Sequence, residues 1–240
     1  MDDVFINSYT DVKRAEAYAN LEFSGTYYLA YRDLPDIIFK HVKGTKALDF
    51  GCGTGRSTRF LQKIGFETIG VDIAEEMIIK ARELDPDGNY CIIKNCDFSE
   101  LENNYYDLVL SAFTFDNIPT KLKKVKILME IRRLLNSGGR IVNLVSRPEI
   151  YKNEWVSFST KDFPENEKAK SGEKVKIIIT DLEDKRPVED VIFSDEDYKD
   201  VFEKAGLELI KRYKPLAKEN RFFDWINETR IAPWIIYVLK

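Results

Sequence analysis

The feature that most limits what this chain can fold into is the run Ala47-Leu48-Asp49-Phe50-Gly51-Cys52-Gly53-Thr54-Gly55, in which a short apolar segment ends in alternate glycines and gives way to a helical period. A strand turning through such a loop into a helix opens a parallel α/β sheet. Glycine lets the backbone take left-handed angles and lie against a ligand where a side chain would collide. In open sheets of this kind, ligands bind beyond the carboxyl ends of the strands, at the point where strand order reverses. The loop is therefore an architectural signal and a candidate site at once, because three glycines in five positions exceed what a tight turn requires.

Around the loop, short apolar runs alternate with helical periods, the pattern of a sheet covered by helices. Strands are expected at 46–50, 67–71, 90–94, 107–111 and 140–145, with helices at 56–64, 75–84 and 121–135. In the last helix Leu122, Val125, Leu128, Met129, Ile131 and Leu135 recur at helical spacing, which predicts one buried face with Lys121, Lys123, Lys124 and Lys126 turned to water. Gly65 and the Gly138-Gly139 pair stand where helices would end in a left-handed residue. Regularity lapses over 147–194, a segment with a polar run at 161–168 and one strand at 174–180. Its charge predicts a cover over one edge of the sheet rather than core. Ser194-Asp195-Glu196-Asp197 has capping-box spacing before Tyr198, Val201, Phe202 and Ala205, with Gly206 as the stop. Closing strands follow at 207–213 and 232–239. Residues 1–44 read as a helical cap, and 1–240 as a single domain.

Carboxylates narrow the ligand. A dinucleotide fingerprint would place its third glycine where Arg56 stands, and a pyrophosphate would be repelled by Asp49, two places before the first glycine. Asp49 instead suits a cationic amino group. Asp72 ends the second strand 17 residues after Gly55, where a carboxylate accepts from both hydroxyls of a ribose. Asp97, after the third strand, has two readings: an acceptor for an adenine amino group, or a loop aspartate bonding its own backbone.

Together the D-F-G-C-G-T-G loop, the V-D strand end, the N-C-D-F segment and the Y-D-L-V-L-S-A fourth strand resemble the class I S-adenosylmethionine-dependent methyltransferases, from about Thr45 to Val145 and more loosely beyond. The resemblance implies an α/β, Rossmann-like, mostly parallel sheet of seven strands in the order 3-2-1-4-5-7-6, the last strand antiparallel. It implies S-adenosylmethionine as cofactor, with Asp49, Gly51, Cys52 and Gly53 at the methionine part, Asp72 and Ile73 at the ribose, and Asp97 and Phe98 at the adenine. Ser111 and Phe113, ending the fourth strand, would face the methyl group, and Tyr28 and Arg32 of the helical cap would reach the methionine end. Cys52 needs only to be small there.

Composition removes several alternatives. A net charge of −4 has the wrong sign for a nucleic-acid backbone, although the Lys121–Lys126 run leaves an RNA methyltransferase as an alternative. One histidine excludes multi-histidine metal sites, and three cysteines without paired spacing exclude a disulfide framework or zinc ribbon, so no metal is expected and a reducing cytoplasm is the simplest compartment. The longest charge-free runs are nine residues, too short to span a membrane, and the acidic start Met1-Asp2-Asp3-Val4 predicts no cleaved leader. An NAD-linked oxidoreductase and a non-catalytic S-adenosylmethionine sensor remain open, as does the oligomeric state.

Methyl transfer from a sulfonium is an in-line displacement in which positioning can supply about 7–11 kcal/mol. The expected acceptor is a small molecule methylated on nitrogen or oxygen. Asp116, after the fourth strand, is the candidate catalytic residue, to anchor an amine or take its proton; it is also a candidate cap for the following helix. Tyr9, Tyr151, Trp155, Trp225 and Trp234 are candidate aromatic walls.

Overall fold

The computed structural model describes residues 11–21, 23–94, 97–218 and 223–240; Tyr9 lies outside them. The loop strand β1 (Lys46–Phe50) pairs in parallel with β2 (Glu67–Asp72) on one side and β4 (Tyr106–Ala112) on the other. The chain crosses between them through α4 (Arg56–Lys63), α5 (Glu75–Leu84) and the edge strand β3 (Asn89–Ile92). Strand order therefore reverses beside β1, and the glycine loop opens into that crevice. Beyond β4 lies β5 (Leu135–Ser146), parallel to it, reached through α6 (Lys121–Leu134). The sheet closes with β10 (Trp234–Leu239) and β9 (Leu209–Tyr213), which follows α7 (Asp195–Lys204); both pairings are antiparallel. The order β3-β2-β1-β4-β5-β10-β9 is the seven-strand order the resemblance implied.

One face of the sheet is covered by α1 (Val12–Ala19), α2 (Gly25–Arg32) and α3 (Leu34–His41), whose Leu29, Leu34 and Ile38 share a core with Leu108 and Val142. The same core takes in the segment expected to lie outside it. Three short antiparallel strands, β6 (Phe158–Ser159), β7 (Lys174–Ile179) and β8 (Val188–Val191), form a second sheet whose Ile177 and Val188 are buried with Tyr151 and Trp155. The expectation from charge fails for a physical reason. In β7 Lys174 and Lys176 face water while Val175, Ile177 and Ile179 face inward, so a charge-rich composition conceals a period-two apolar face.

Two polar staples bind this second sheet to the first. Glu228 is fully buried and accepts from Thr26 Oγ1 (2.7 Å), the Val156 amide (2.8 Å) and the amides of Ile226 and Asn227, joining α2, the second-sheet segment and the approach to β10. At the opposite end Arg14 of α1 pairs with Asp184 (3.4 Å) and donates to the carbonyls of Arg186 and Pro187, just before β8. A carboxylate buried this way is tolerated because several donors replace its lost hydration.

Two further expectations are corrected. In α6 the buried stripe is Lys124, Ile127, Leu128, Ile131 and Leu134, while Leu122 and Met129 are 64% and 53% exposed. Stepping back three and four positions from Ile127 and Leu128 lands on Lys124, which is why a lysine rather than Leu122 occupies the inner face. Gly138 and Gly139 lie within β5, not in a left-handed helix cap; a side chain on Gly139 would press on the Tyr106 carbonyl. Gly65 and Gly206 do have positive φ, at 100° and 71°.

Candidate active site

At the carboxyl ends of β1, β2 and β4 a cavity of about 210 Å³ runs from the glycine loop to the second sheet. Its first end is built by neighbours in sequence. Gly51, Gly53 and Gly55 take φ of 72°, 54° and 81°, angles that strain any other residue. A side chain on Gly51 would collide with Thr114, whose hydroxyl donates to the Phe50 carbonyl (2.9 Å) and ties the ends of β1 and β4 together. At Gly53 nothing lies within 4 Å of where a Cβ would sit, so the backbone borders open space. The Gly53 amide donates to Asp72 Oδ2 (2.8 Å) and the Ala74 amide to Oδ1 (2.9 Å), which fixes the carboxylate at the cavity wall with a further lone pair on each oxygen.

Asp49 lies beneath the loop, with no exposed surface. Its Oδ2 accepts from Ser57 Oγ (2.6 Å) and Thr58 Oγ1 (2.7 Å), while Oδ1 has no hydrogen-bond partner. Burial pushes its pKa up to about 6, against the two hydroxyls that hold it down. An orphaned buried carboxylate oxygen, an open glycine cradle and a wall carboxylate with spare acceptor capacity are the set that a ligand with a cationic amino group and a ribose requires. The residues present therefore fit S-adenosylmethionine.

The other end is walled by Tyr27 and Phe113, by Trp234, and by Phe158, Ile177 and Ile179 of the second sheet. Phe113 holds a left-handed φ of 66°, costly for an aromatic residue, and is packed against Trp234 (4.8 Å) and Tyr27 (5.8 Å). Polar groups gather at its floor. Asp116 is buried and accepts the Ser146 amide through both oxygens (3.0 and 3.2 Å); Asp190, from β8, accepts from Tyr151 Oη (3.0 Å). Burial pushes both carboxyls up, each also facing a negative neighbour, and pushes Lys124 down. The cap of α6 is Thr120, whose hydroxyl accepts from the Lys123 amide, so Asp116 is not its cap.

Gly51, Cys52, Gly53, Asp72, Ile73, Phe113 and Asp116 are thus brought together at one cavity. Asp49 lies beneath the loop and not on the cavity wall, and other expected residues are not brought there either. In α2 the inward positions are Tyr27 and Tyr31; Tyr28 packs on Phe223, and Arg32 pairs with Asp33 (2.6 Å) and donates to the Leu216 carbonyl. Asp97 is exposed and accepts the Ser99 amide (2.9 Å), a local turn, and Phe98 is buried against Phe50. Ile73, Met77 and Ile93 line that side of the cavity instead. Ser111 is buried below the cavity with an unpartnered hydroxyl. Of the aromatic candidates, Tyr151 and Trp234 line the cavity. Trp155 is core, its indole N–H donating to the Ile150 carbonyl (2.8 Å), and Trp225 packs on Phe223.

Two lining groups, Arg56 and Asp190, and one behind them, Lys124, escape a reading by spacing. Arg56, at the start of α4, places its guanidinium 4.7 Å from the Tyr27 ring centre and 5.5 Å from that of Tyr31. Its signal was its place directly after the last loop glycine. Asp190 and Lys124 carried none, lying in a charged strand and a charged helix. Cys52 is buried and its thiol pushed well up by desolvation, the opposite of an activated nucleophile. Among the described residues no group of histidine, cysteine or carboxylate side chains could hold a metal ion, and no helix is long and apolar enough to cross a membrane.

Comparison with known proteins agrees with this geometry. Residues 48–143 match the family model described as "Methyltransferase domain". The demethylmenaquinone methyltransferase of Staphylococcus haemolyticus is 33% identical over 163 residues, covering 54% of this chain and 67% of that protein. Solved structures with the same fold include the CcbJ methyltransferase from Streptomyces caelestis (TM-score 0.63, 18% identity, 92% of this chain and 99% of that one). An S-adenosylmethionine-dependent methyltransferase from Clostridium acetobutylicum is similar to the same degree (TM-score 0.60, 17% identity, 93% of each chain). The chain belongs to the class I S-adenosylmethionine-dependent methyltransferases. It is an enzyme that uses S-adenosylmethionine as methyl donor.

Proposed function

We propose that one cavity holds both reactants, the cofactor against the glycine loop and an acceptor with a largely apolar body against the second sheet, methylated on nitrogen or oxygen. The observation that carries this reading is the continuity of the cavity from Gly53 and Asp72 to Asp116 and Trp234. Asp72 would take the ribose hydroxyls, the loop backbone and Asp49 the methionine amino end, and Ile73, Met77 and Ile93 the apolar adenine faces. Arg56 replaces Arg32 as the residue for the methionine carboxylate, since a planar guanidinium pairs with both oxygens and Arg56 reaches the cavity.

When bound, the cofactor supplies a methyl group already activated by the sulfonium charge. The protein's part is to orient the acceptor, exclude water with Tyr27, Phe113, Phe158 and Trp234, and offer Asp116 as proton acceptor. Residues 147–194 serve as the acceptor-site cover within a single catalytic domain, and the cytoplasm is the proposed compartment. The relative from Staphylococcus haemolyticus, named for a demethylmenaquinone, supports an acceptor with an extended apolar body. The test is calorimetric titration of the Asp72→Ala variant with S-adenosylhomocysteine: binding is lost by at least 100-fold in a variant with a native circular dichroism spectrum, and an unchanged dissociation constant contradicts the assignment.

A further inference from the structure

Behind the acceptor end, five polar side chains from five separate elements converge on one another. The 3-10 turn Thr114–Asn117 supplies Asp116, α6 supplies Lys124, the 3-10 turn Pro148–Lys152 supplies Tyr151, β8 supplies Asp190, and α7 supplies Tyr198. Asp116, Tyr151 and Asp190 line the cavity, and Ser146 lies beside them. Lys124 does not line it. That lysine has no exposed surface; its ammonium donates to the Phe115 carbonyl and sits 4.3 Å from the Phe193 ring centre and 5.5 Å from that of Tyr198.

Charge counting decides what such a floor can receive. With all three groups ionised, two carboxylates and one ammonium leave a single negative charge facing an aromatic cavity. The lysine is held by the Phe115 carbonyl off the cavity wall, where it offsets the carboxylates without meeting the acceptor. An anionic acceptor, such as a phenolate, would be buried against like charge, which a low-dielectric site strongly disfavours. A neutral acceptor leaves the charge unanswered. A cation answers it, and the electron-rich faces of Tyr27, Phe113 and Trp234 favour one as well.

We infer that the acceptor is a primary or secondary amine on an apolar body, bound as its ammonium by Asp116 and Asp190, which then take the proton that frees the nitrogen lone pair. The inference rests on the cofactor assignment above and adds the acceptor's class. Proton and charge balance hold. The ammonium gives one proton to the carboxylate pair. The nitrogen–carbon bond forms as the sulfur–carbon bond breaks with its electrons going to sulfur, the product leaves as the methylated ammonium, and the pair returns its proton to solvent. Burial, which raises both carboxyls, makes them better matched to take that proton near neutral pH than exposed aspartates would be.

The groups that face the pair, and so set its pH response, are Lys124 from α6, Tyr151, Tyr198 from α7, Tyr27 from α2, and Glu189 beside Asp190 on β8. The test uses the full chain saturated with S-adenosylhomocysteine, whose own binding is measured first and belongs to the cofactor assignment alone. Into that complex 2-phenylethylamine, 2-phenylethanol, 3-phenylpropionate and 1-naphthol are titrated at pH 8. The amine should bind at least tenfold more tightly than the other three, and its affinity should fall at least tenfold between pH 8 and pH 5.5 as the pair takes up protons. In Asp116→Asn and Asp190→Asn, whose side chains keep their size, the preference should collapse while S-adenosylhomocysteine affinity stays within about twofold. Equal or tighter binding of the alcohol, acid or naphthol overturns the inference, as does absence of discrimination among the four in the unsubstituted protein, whatever the variants do.

Discussion

A pair of carboxylates stands at each end of the molecule's cleft, Asp72 on the cavity wall with Asp49 beneath the loop at one end and Asp116 with Asp190 on the wall at the other, and the two pairs are made differently. Asp49 and Asp72 stand at the ends of adjacent strands and are held by donors close in sequence: Ser57 and Thr58 within nine residues of Asp49, and Gly53 and Ala74 near Asp72 across the β1–β2 pairing. Asp116 and Asp190 come from a turn and a strand 74 residues apart, and depend on Ser146, Tyr151 and Lys124 from three further elements. A site built by one strand–loop–helix unit is set by local geometry and binds the invariant partner of the reaction. A site built where two sheets meet can change with the inserted segment, and it faces the partner that differs between enzymes.

The largest expected effect tests how firmly the second sheet is built into the core. Trp155→Ala should destabilise the fold by about 3–5 kcal/mol, the cost of emptying a large buried site, seen as a lowered midpoint in urea unfolding. A change within about 0.5 kcal/mol would mean that the segment folds independently of the cavity it lines. Next comes Lys124→Met, which removes the one cation from the acceptor-end cluster. Leaving buried carboxylates unpaired costs about 3 kcal/mol at pH 8. The sign follows from the raised carboxyls: their stabilising contribution is present at low pH and is lost as pH rises through the folded values, which the variant moves higher still. The melting temperature of Lys124→Met should therefore fall further below the unsubstituted protein at pH 8 than at pH 5.5. An equal deficit at both would show that the lysine does not act on the pair.

The smallest effect on stability belongs to the cofactor end. Gly53→Ala meets no neighbouring atom, so folding should lose only about 1 kcal/mol from the left-handed backbone. Its methyl group would stand in the cradle, however, and S-adenosylhomocysteine affinity should fall more than tenfold by calorimetry. Loss of stability without loss of affinity would place the cofactor elsewhere.

The same contrast explains what could be read from the chain. The parallel α/β alternation, the loop and Asp72 were legible because each is written within a short window by glycine spacing and the strand–helix periods, and the sheet order followed from the resemblance those windows carry. The acceptor end was legible only in part. Asp116 stood out because it follows a strand whose end faces the crevice, but Asp190 sits in a four-residue strand among charged residues, and Lys124 in a helix whose apolar face is read differently from Leu122 than from Ile127. Tyr28 and Arg32 were placed one helical position away from the residues that face inward, Tyr27 and Tyr31. Sequence spacing names the helix, while the packing of α2 against β4 and β10 decides its rotation.

The most direct test is a crystal structure of the full chain with S-adenosylhomocysteine. Ribose hydroxyls should lie within hydrogen-bonding distance of both Asp72 oxygens, the amino group at the loop above Asp49, and the sulfur should be directed toward Phe113 with the Asp116–Asp190 end left free for the acceptor. A nucleoside lodged between Asp116 and Asp190, or a ribose away from Asp72, would contradict that arrangement.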